Sequence, residues 1–322
     1  MPQKHGLITR RVIIVLSVIL VNVSLLLAYR DAGREASHPQ SAALKIAADE
    51  AVRPERWHPK KRFKALKGVA LAIHGLNLKP EKMNAIIADI NEAGIDVLNV
   101  SLRGHGDNYV QRSHASRDAQ RLESFMTVTY SLWLQEVHQA YQKIRKRADR
   151  KRVPIYLVGY SLGGLLGCNL LATHPDVSFD RIILFAPALS VMIESHLLKA
   201  LSPFPNLMID SLSPESYRSN RGTPMAAYKA LFEAIDHFEE NISQRLNVPT
   251  VIFIDERDEF ISFQKLQDLI DQKKLSRWSV HKVKKDGDVN GSMAYHLLID
   301  ETSTGSNMWR QVRNVMRKHL SY

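Results

Sequence analysis

The sequence lacks most of what would let a protein of this size hold a metal, a cofactor or a covalent staple. One cysteine, Cys168, stands in 322 residues, which excludes an intramolecular disulfide framework and any cluster of thiolate ligands. No HExxH helix, His-x-His pair or cysteine pair occurs, so the common metal-site spacings are absent and no metal is implied. The glycines of Gly159-Tyr160-Ser161-Leu162-Gly163-Gly164 have neither the G-x-G-x-x-G nor the G-K-[ST] pattern of a phosphate-binding loop, and no cofactor is implied. Nucleic-acid binding is unsupported too. A net charge of +11 and a pI near 9.6 would suit it, but there is no finger spacing, no interleaved basic and aromatic strand and no helix-turn-helix signal.

Present instead are 45% apolar and 24% charged residues, ordinary proportions for a globular chain with a substantial core. The positive charge gathers in two runs, Arg53 to Lys64 and Lys143 to Arg152. Both read as solvated loop and helix-end charge, with a basic surface resting on lipid headgroups as the alternative.

Long uncharged runs are missing except for one, Val12 to Ala28 (VIIVLSVILVNVSLLLA). With Tyr29 it would extend about 27 Å as a helix, enough to cross a bilayer. Lys4, Arg10 and Arg11 precede it, as in a signal anchor or a signal peptide. Its length, and the large Leu26 before Leu27 and Ala28, favour an uncleaved single-pass anchor over a removed signal. The N-terminus is then expected in the cytoplasm and the remaining domain outside it, although Arg30 and Arg34 weaken the charge bias. The expected organisation is a flank over 1–11, a transmembrane helix over 12–29, and a polar, proline-bearing linker over 30–65 with a short helix at Ser41 to Val52. The folded domain occupies 66–322.

Within that domain short apolar strands alternate with helical patterns. Strands are expected over Gly68–Ile73, Asp96–Val100, Ile155–Gly159, Arg181–Phe185, Thr250–Ile254 and Trp278–Val283. Helices are expected over Pro80–Ala93, Asp118–Arg147, Leu162–His174, Phe263–Lys273 and Ser306–Leu320. Such alternation implies an α/β fold, a mostly parallel sheet with helices on both faces. Ligands bind such a sheet beyond the carboxyl ends of its strands. The stretch from about 188 to 246 breaks the rhythm with Pro203, Pro205, Pro214 and Pro224, and reads as a helical lid insertion.

Gly159-Tyr160-Ser161-Leu162-Gly163 is short enough to arise by chance, but it falls directly between the strand IYLV and the helical LLGCNLLATHP. A serine at so sharp a turn has its Oγ lifted above the sheet, and the following helix aims free N–H groups at a developing oxyanion. Together with His74-Gly75-Leu76 after the first core strand and Arg103-Gly104-His105-Gly106 after the next, this resembles the α/β-hydrolase superfamily. Within it the chain is similar to the monoacylglycerol lipase and serine-aminopeptidase-like branch, from about Leu66 onward.

The resemblance implies a serine nucleophile, then an acid, then a histidine in chain order. Ser161 takes the first role. Asp258, closing the loop Asp255-Glu256-Arg257-Asp258-Glu259 after the strand TVIFI, takes the second, with Asp255 and Glu259 as alternatives. His296, after the last strand, takes the third, with His281 as the competitor inside WSVHKV. The oxyanion donors are the backbone N–H groups of Leu76 and Leu162. His74 and His105 are expected to shape their loops, and Cys168 to be a small buried apolar residue. The implied activity is a serine hydrolase acting on carboxylic esters, with an acyl lipid as small-molecule substrate and the membrane as partner. A peptidase or thioesterase with the same triad, or a non-catalytic binding scaffold, are the rival readings.

Overall fold

A computed structural model of the chain describes residues 55–112, 115–192, 204, 206–285 and 295–321. The chain divides into two units, Met1–Asp49 and Glu50–Tyr322. The apolar run Val12 to Ala28 and the helix expected over Ser41 to Val52 lie outside the described residues. Among the described residues no helix is long and apolar enough to cross a membrane.

Seven strands form one sheet, in the order β1-β3-β2-β4-β5-β8-β9. They are β1 (Glu55–His58), β2 (Gly68–Ile73), β3 (Ile95–Val100), β4 (Ile155–Tyr160), β5 (Arg181–Phe185), β8 (Thr250–Ile254) and β9 (Trp278–Lys282). Only β1 runs antiparallel to its neighbour, with Glu55 opposite Val100 and His58 opposite Val97. Glu55–His58 is a correction to the expected polar linker over 30–65. ERWH has no alternation of apolar and polar positions to betray a strand, and what pairs it is the free edge of β3.

Strands β2 and β3 are buried along their whole length, as expected of parallel strands covered on both sides. Along β2 the faces alternate: Val69, Leu71 and Ile73 belong to one core cluster, Ala70 and Ala72 to the other. The first cluster is closed by helices α3 (Tyr130–Lys151), α4 (Leu162–Thr173), α5 (Met225–Asn241) and α6 (Phe263–Gln272). The second is closed by α1 (Asn84–Glu92) and α8 (Ser306–Leu320). Helix α4 is apolar all round because it is covered on every side: it packs on the sheet and also takes α5 across its back, where Asn169 Nδ2 donates to the Ala234 carbonyl at 2.8 Å.

Three expectations are corrected in detail. The helix over Asp118–Arg147 is two helices, α2 (Arg117–Phe125) and α3. The β-branched run Thr127-Val128-Thr129 interrupts it, and the Thr129 hydroxyl caps α3 by accepting from the Leu132 N–H at 3.2 Å. The helix over Pro80–Ala93 begins as a 3-10 turn, Pro80–Met83, before α1. The insertion is not wholly helical: it holds the antiparallel pair β6 (Met208–Asp210) and β7 (Gly222–Pro224) as well as α5. Residues 193–203 and 205 of the insertion lie outside the described residues. A short helix, α7 (Glu301–Thr304), precedes α8 and is closed at its N-terminus by a capping box of Asp300 and Ser303.

Strand β2 has β3 on one side and β4 on the other, so the connections leaving its end and the end of β4 diverge. Open parallel sheets bind ligands at such a switch point, in the crevice at the carboxyl edge.

Candidate active site

The turn that carries Ser161 follows from its neighbours. Ser161 stands at φ 51° and ψ −116°, a conformation that costs a non-glycine residue roughly 1–3 kcal/mol unless the surroundings enforce it. They do: its N–H donates to the Phe185 carbonyl at 2.9 Å, and its carbonyl accepts from Leu165 and Ala188. The turn is possible only because α4 passes very close to the sheet. A Cβ on Gly163 would collide with the carbonyl of Ile73 at the end of β2, and one on Gly159 with the backbone of Gly164. Ser161 is thereby lifted, partly exposed, into the crevice.

Two buried side chains reach it from the other end of the chain. His296 Nε2 lies 3.0 Å from Ser161 Oγ, and His296 Nδ1 lies 2.8 Å from Asp258 Oδ2. The second carboxylate oxygen, Oδ1, accepts from the Phe260 and Ile261 N–H groups at 2.9 Å each. Held by these three bonds, Asp258 favours the imidazole with a proton on Nδ1 and a lone pair on Nε2. Phe260 meets the His296 ring edge-on at 5.2 Å and Tyr160 lies at 5.3 Å, closing it from water. Such a line can take a proton from the serine hydroxyl and return it to a leaving group.

The alternatives are accounted for by other contacts. Asp255 is bound by Arg257, whose guanidinium approaches both carboxylate oxygens at 3.0 and 2.9 Å and stacks on the Tyr295 ring at 4.1 Å. Glu259 accepts from the backbone N–H groups of Tyr295 and His296 at 3.0 Å. It holds the histidine's main chain, a role that the sequence reading missed. Beside it Lys285 donates to the Leu297 carbonyl at 2.7 Å, its ammonium pushed down to about 8 by burial. His281 lies in β9 with its ring 5.7 Å from Phe253, away from Ser161.

Leu162 opens α4, where an N–H has no intrahelical acceptor, and Leu76 follows the tight loop after β2. Two histidines shape that loop as expected. His74 Nδ1 donates to the Gly75 carbonyl at 2.8 Å while Nε2 accepts from the Leu102 N–H at 3.1 Å. His105 Nε2 accepts from the Asn77 N–H at 2.9 Å. Burial lowers the His74 pKa to about 4 and that of His105 well below the usual value, so both serve as neutral pins between the loops after β2 and β3. Cys168 is buried with its thiol pushed up to about 12 by desolvation, which suits packing and not attack.

A further feature had no signal in sequence. The far arm of the insertion is clasped to the loop after β2 by a buried amide pair. Asn77 Oδ1 accepts from the Asn220 N–H at 2.8 Å, Asn77 Nδ2 donates to the Asn220 carbonyl at 3.0 Å, and Asn220 Nδ2 donates to the Gly104 carbonyl at 2.8 Å. Asn77 itself stands at φ 53°, a conformation asparagine tolerates better than most residues. The arm is tied down again where the Tyr217 hydroxyl donates to the Asp300 carboxylate at 2.9 Å.

Comparison with known proteins gives one family and one fold. The family described as serine aminopeptidase, S33, matches residues 64–286. Among solved structures, a soluble variant of monoglyceride lipase from Saccharomyces cerevisiae is similar at TM-score 0.66 and 11% identity, over 88% of this chain and 98% of that one. A monoacylglycerol lipase from Paleococcus ferrophilus is similar at TM-score 0.57 and 18% identity, over 84% and 99%. The esterase Est1E from Butyrivibrio proteoclasticus, solved with ferulic acid, is similar at TM-score 0.53 and 17% identity, over 85% and 100%. No curated protein matches in sequence.

Proposed function

The chain belongs to the serine aminopeptidase S33 family of α/β-hydrolases, and from that premise we propose that it is a membrane-tethered ester hydrolase whose nucleophile is Ser161. One observation carries the reading: the unbroken line Asp258 Oδ2, His296 Nδ1, His296 Nε2, Ser161 Oγ, with separations of 2.8 and 3.0 Å. His296 removes the hydroxyl proton as Oγ attacks the ester carbonyl, and the new C–O bond places negative charge on the carbonyl oxygen. The N–H groups of Leu76 and Leu162 stabilise that charge, each by about 3 kcal/mol if they act as such donors usually do. Collapse of the tetrahedral species expels the alcohol, which takes its proton from His296. Water, deprotonated by the same imidazole, then cleaves the acyl-enzyme to the free acid and returns Ser161.

An acyl ester, of the monoacylglycerol or lysophospholipid type, is the proposed substrate. Its support is the fold shared with lipases and esterases together with the apolar run Val12 to Ala28, read as a single-pass anchor with the catalytic domain outside the cytoplasm. The insertion over about 188–246 is read as the lid.

Labelling with a fluorophosphonate, which requires an activated serine, tests the chemistry. Wild-type protein should label and Ser161→Ala should not, with kcat falling about 10⁴- to 10⁶-fold. Label persisting in the variant would displace Ser161 from its role. A panel of p-nitrophenyl esters of rising acyl length, monoacylglycerols and aminoacyl amides tests the substrate. The family's description favours one second reading, an aminopeptidase, and preference for the amides would establish it in place of the ester reading.

A further inference from the structure

The two basic runs, whose nearest members Lys64 and Lys143 stand 79 positions apart in the chain, meet in the fold. They converge on Asp96 at the start of β3: the Lys60 N–H donates to Asp96 Oδ1 at 2.8 Å, and the Arg147 guanidinium donates to Asp96 Oδ2. Arg147 also lies 5.1 Å over the ring of Trp57, and Lys143 pairs with Glu55. Lys67 is held beside this point by its N–H bond to the Gly94 carbonyl at 2.8 Å. The carboxylates in reach each pair with one cationic side chain: Asp96 with Arg147, Glu92 with Lys61, Glu55 with Lys143 and Asp149 with Arg145. Arg62, Lys64, Lys67, Lys146, Lys151 and Arg152 are exposed, with no carboxylate partner among the described residues. Phe63 stands among them 81% exposed, and Trp57 40% exposed.

The place of this surface matters as much as its charge. Lys67 directly precedes β2, and Arg152 leads into β4 through Val153 and Pro154, whose carbonyl accepts from the Val69 N–H at 3.0 Å. Both therefore sit at the amino edge of the parallel strands, whereas Ser161 and the loop after Ile73 sit at the carboxyl edge. Six residues of strand separate the two, about 20 Å. Helix-dipole complementarity accounts for Arg150 and Lys151 in the last turn of α3, but not for the cations of 60–67 or for an exposed phenylalanine between them.

We propose that this basic, aromatic-tipped edge docks on anionic lipid headgroups, with the crevice at Ser161 facing away from the bilayer. Cations with interleaved aromatics are what a headgroup layer binds, the rings entering the interface and each ammonium or guanidinium strengthening partitioning roughly fivefold. Single-stranded nucleic acid also uses cations with exposed rings, so the test below includes an oligonucleotide. The inference deepens the membrane-tether reading by naming the face that meets lipid.

The buried Cys168 leaves surface positions open to selective labelling. Full-length protein carrying an environment-sensitive fluorophore on Ala65→Cys, within the basic edge, or on Leu212→Cys, exposed in the insertion, would be reconstituted in phosphatidylcholine vesicles with and without phosphatidylglycerol. The Ala65 probe should shift to the blue and be quenched severalfold more strongly by headgroup nitroxide lipids when phosphatidylglycerol is present. The effect should vanish in molar salt and in the triple variant Arg62→Glu, Lys64→Glu, Lys67→Glu, and the Leu212 probe should stay unquenched. Quenching at Leu212 instead, an Ala65 response indifferent to lipid charge, or protection of Ala65 only by an oligonucleotide would each overturn the proposal. Flotation with neutral vesicles reads the tether alone: chain that floats while Ala65 stays silent refutes the docking face and leaves the tether standing.

Discussion

Asp255 and Asp258 stand in one loop and differ in what their oxygens meet. Asp255 faces Arg257, while Asp258 faces two backbone N–H groups and an imidazole. Asp258→Asn should therefore lower kcat about 10⁴-fold at neutral pH by favouring the wrong imidazole tautomer, whereas Asp255→Asn should leave kcat within about threefold and cost stability through lost hydrogen bonds. Steady-state rates of both variants on one ester decide it, and equal losses would reopen the choice of acid. Glu259 acts on His296 only through the main chain. Glu259→Ala should drop kcat about tenfold with KM unchanged, since it loosens the base without touching substrate, and Glu259→Gln should recover part of the loss by keeping an acceptor. That Ser161, Asp258 and His296 come together was readable because loop position relative to strands is a sequence pattern. Glu259 and the Asn77–Asn220 pair were not, because their partners lie 37 and 143 positions away and are largely backbone, which carries no residue code.

At the scale of elements, all six core strands were legible as apolar runs: five hold the centre of the sheet and the sixth, β9, forms one edge. The edge strand β1, the three-residue strands β6 and β7, and the division between α2 and α3 were not. Each is set by an external partner or a cap instead of by periodicity. The elbow joins strand and helix at a contact with no slack. Gly163→Ala should abolish soluble folded protein or activity outright, because its Cβ would have to displace the Ile73 carbonyl, itself part of β2. Comparison of circular dichroism and fluorophosphonate labelling would distinguish unfolding from a distorted turn, and a fully active alanine variant would show that α4 can move off the sheet. Asn220→Ala should lower stability by about 1–3 kcal/mol for each buried amide or carbonyl group left unpaired, read as a shift in urea midpoint.

The whole molecule should be acid-sensitive for a reason seated in its core. His74 is buried neutral, with a folded pKa near 4 against an ordinary 6.5, and His105 is shifted the same way. Above about pH 6.5 neither folded nor unfolded chain protonates these rings, and their contribution to stability is complete. Between there and about pH 4 the unfolded chain gains protons that the folded chain refuses, so stability declines, by about 3 kcal/mol for His74 alone at the lower limit. Urea midpoints should fall steadily from about pH 7 to about pH 5, and less so in His74→Asn; a flat profile would mean that these rings gain protons while folded. The clasp between Asn77 and Asn220 has a consequence in time as well as in space. Synthesis runs from the amino end, and the loop beside Ser161 cannot be fastened before Asn220 has been made, nor the imidazole delivered before His296. Most of the sheet's central strands precede both. A ribosome-bound chain could thus complete its scaffold while remaining chemically silent, and Ser161 would gain its base only once His296 has left the tunnel.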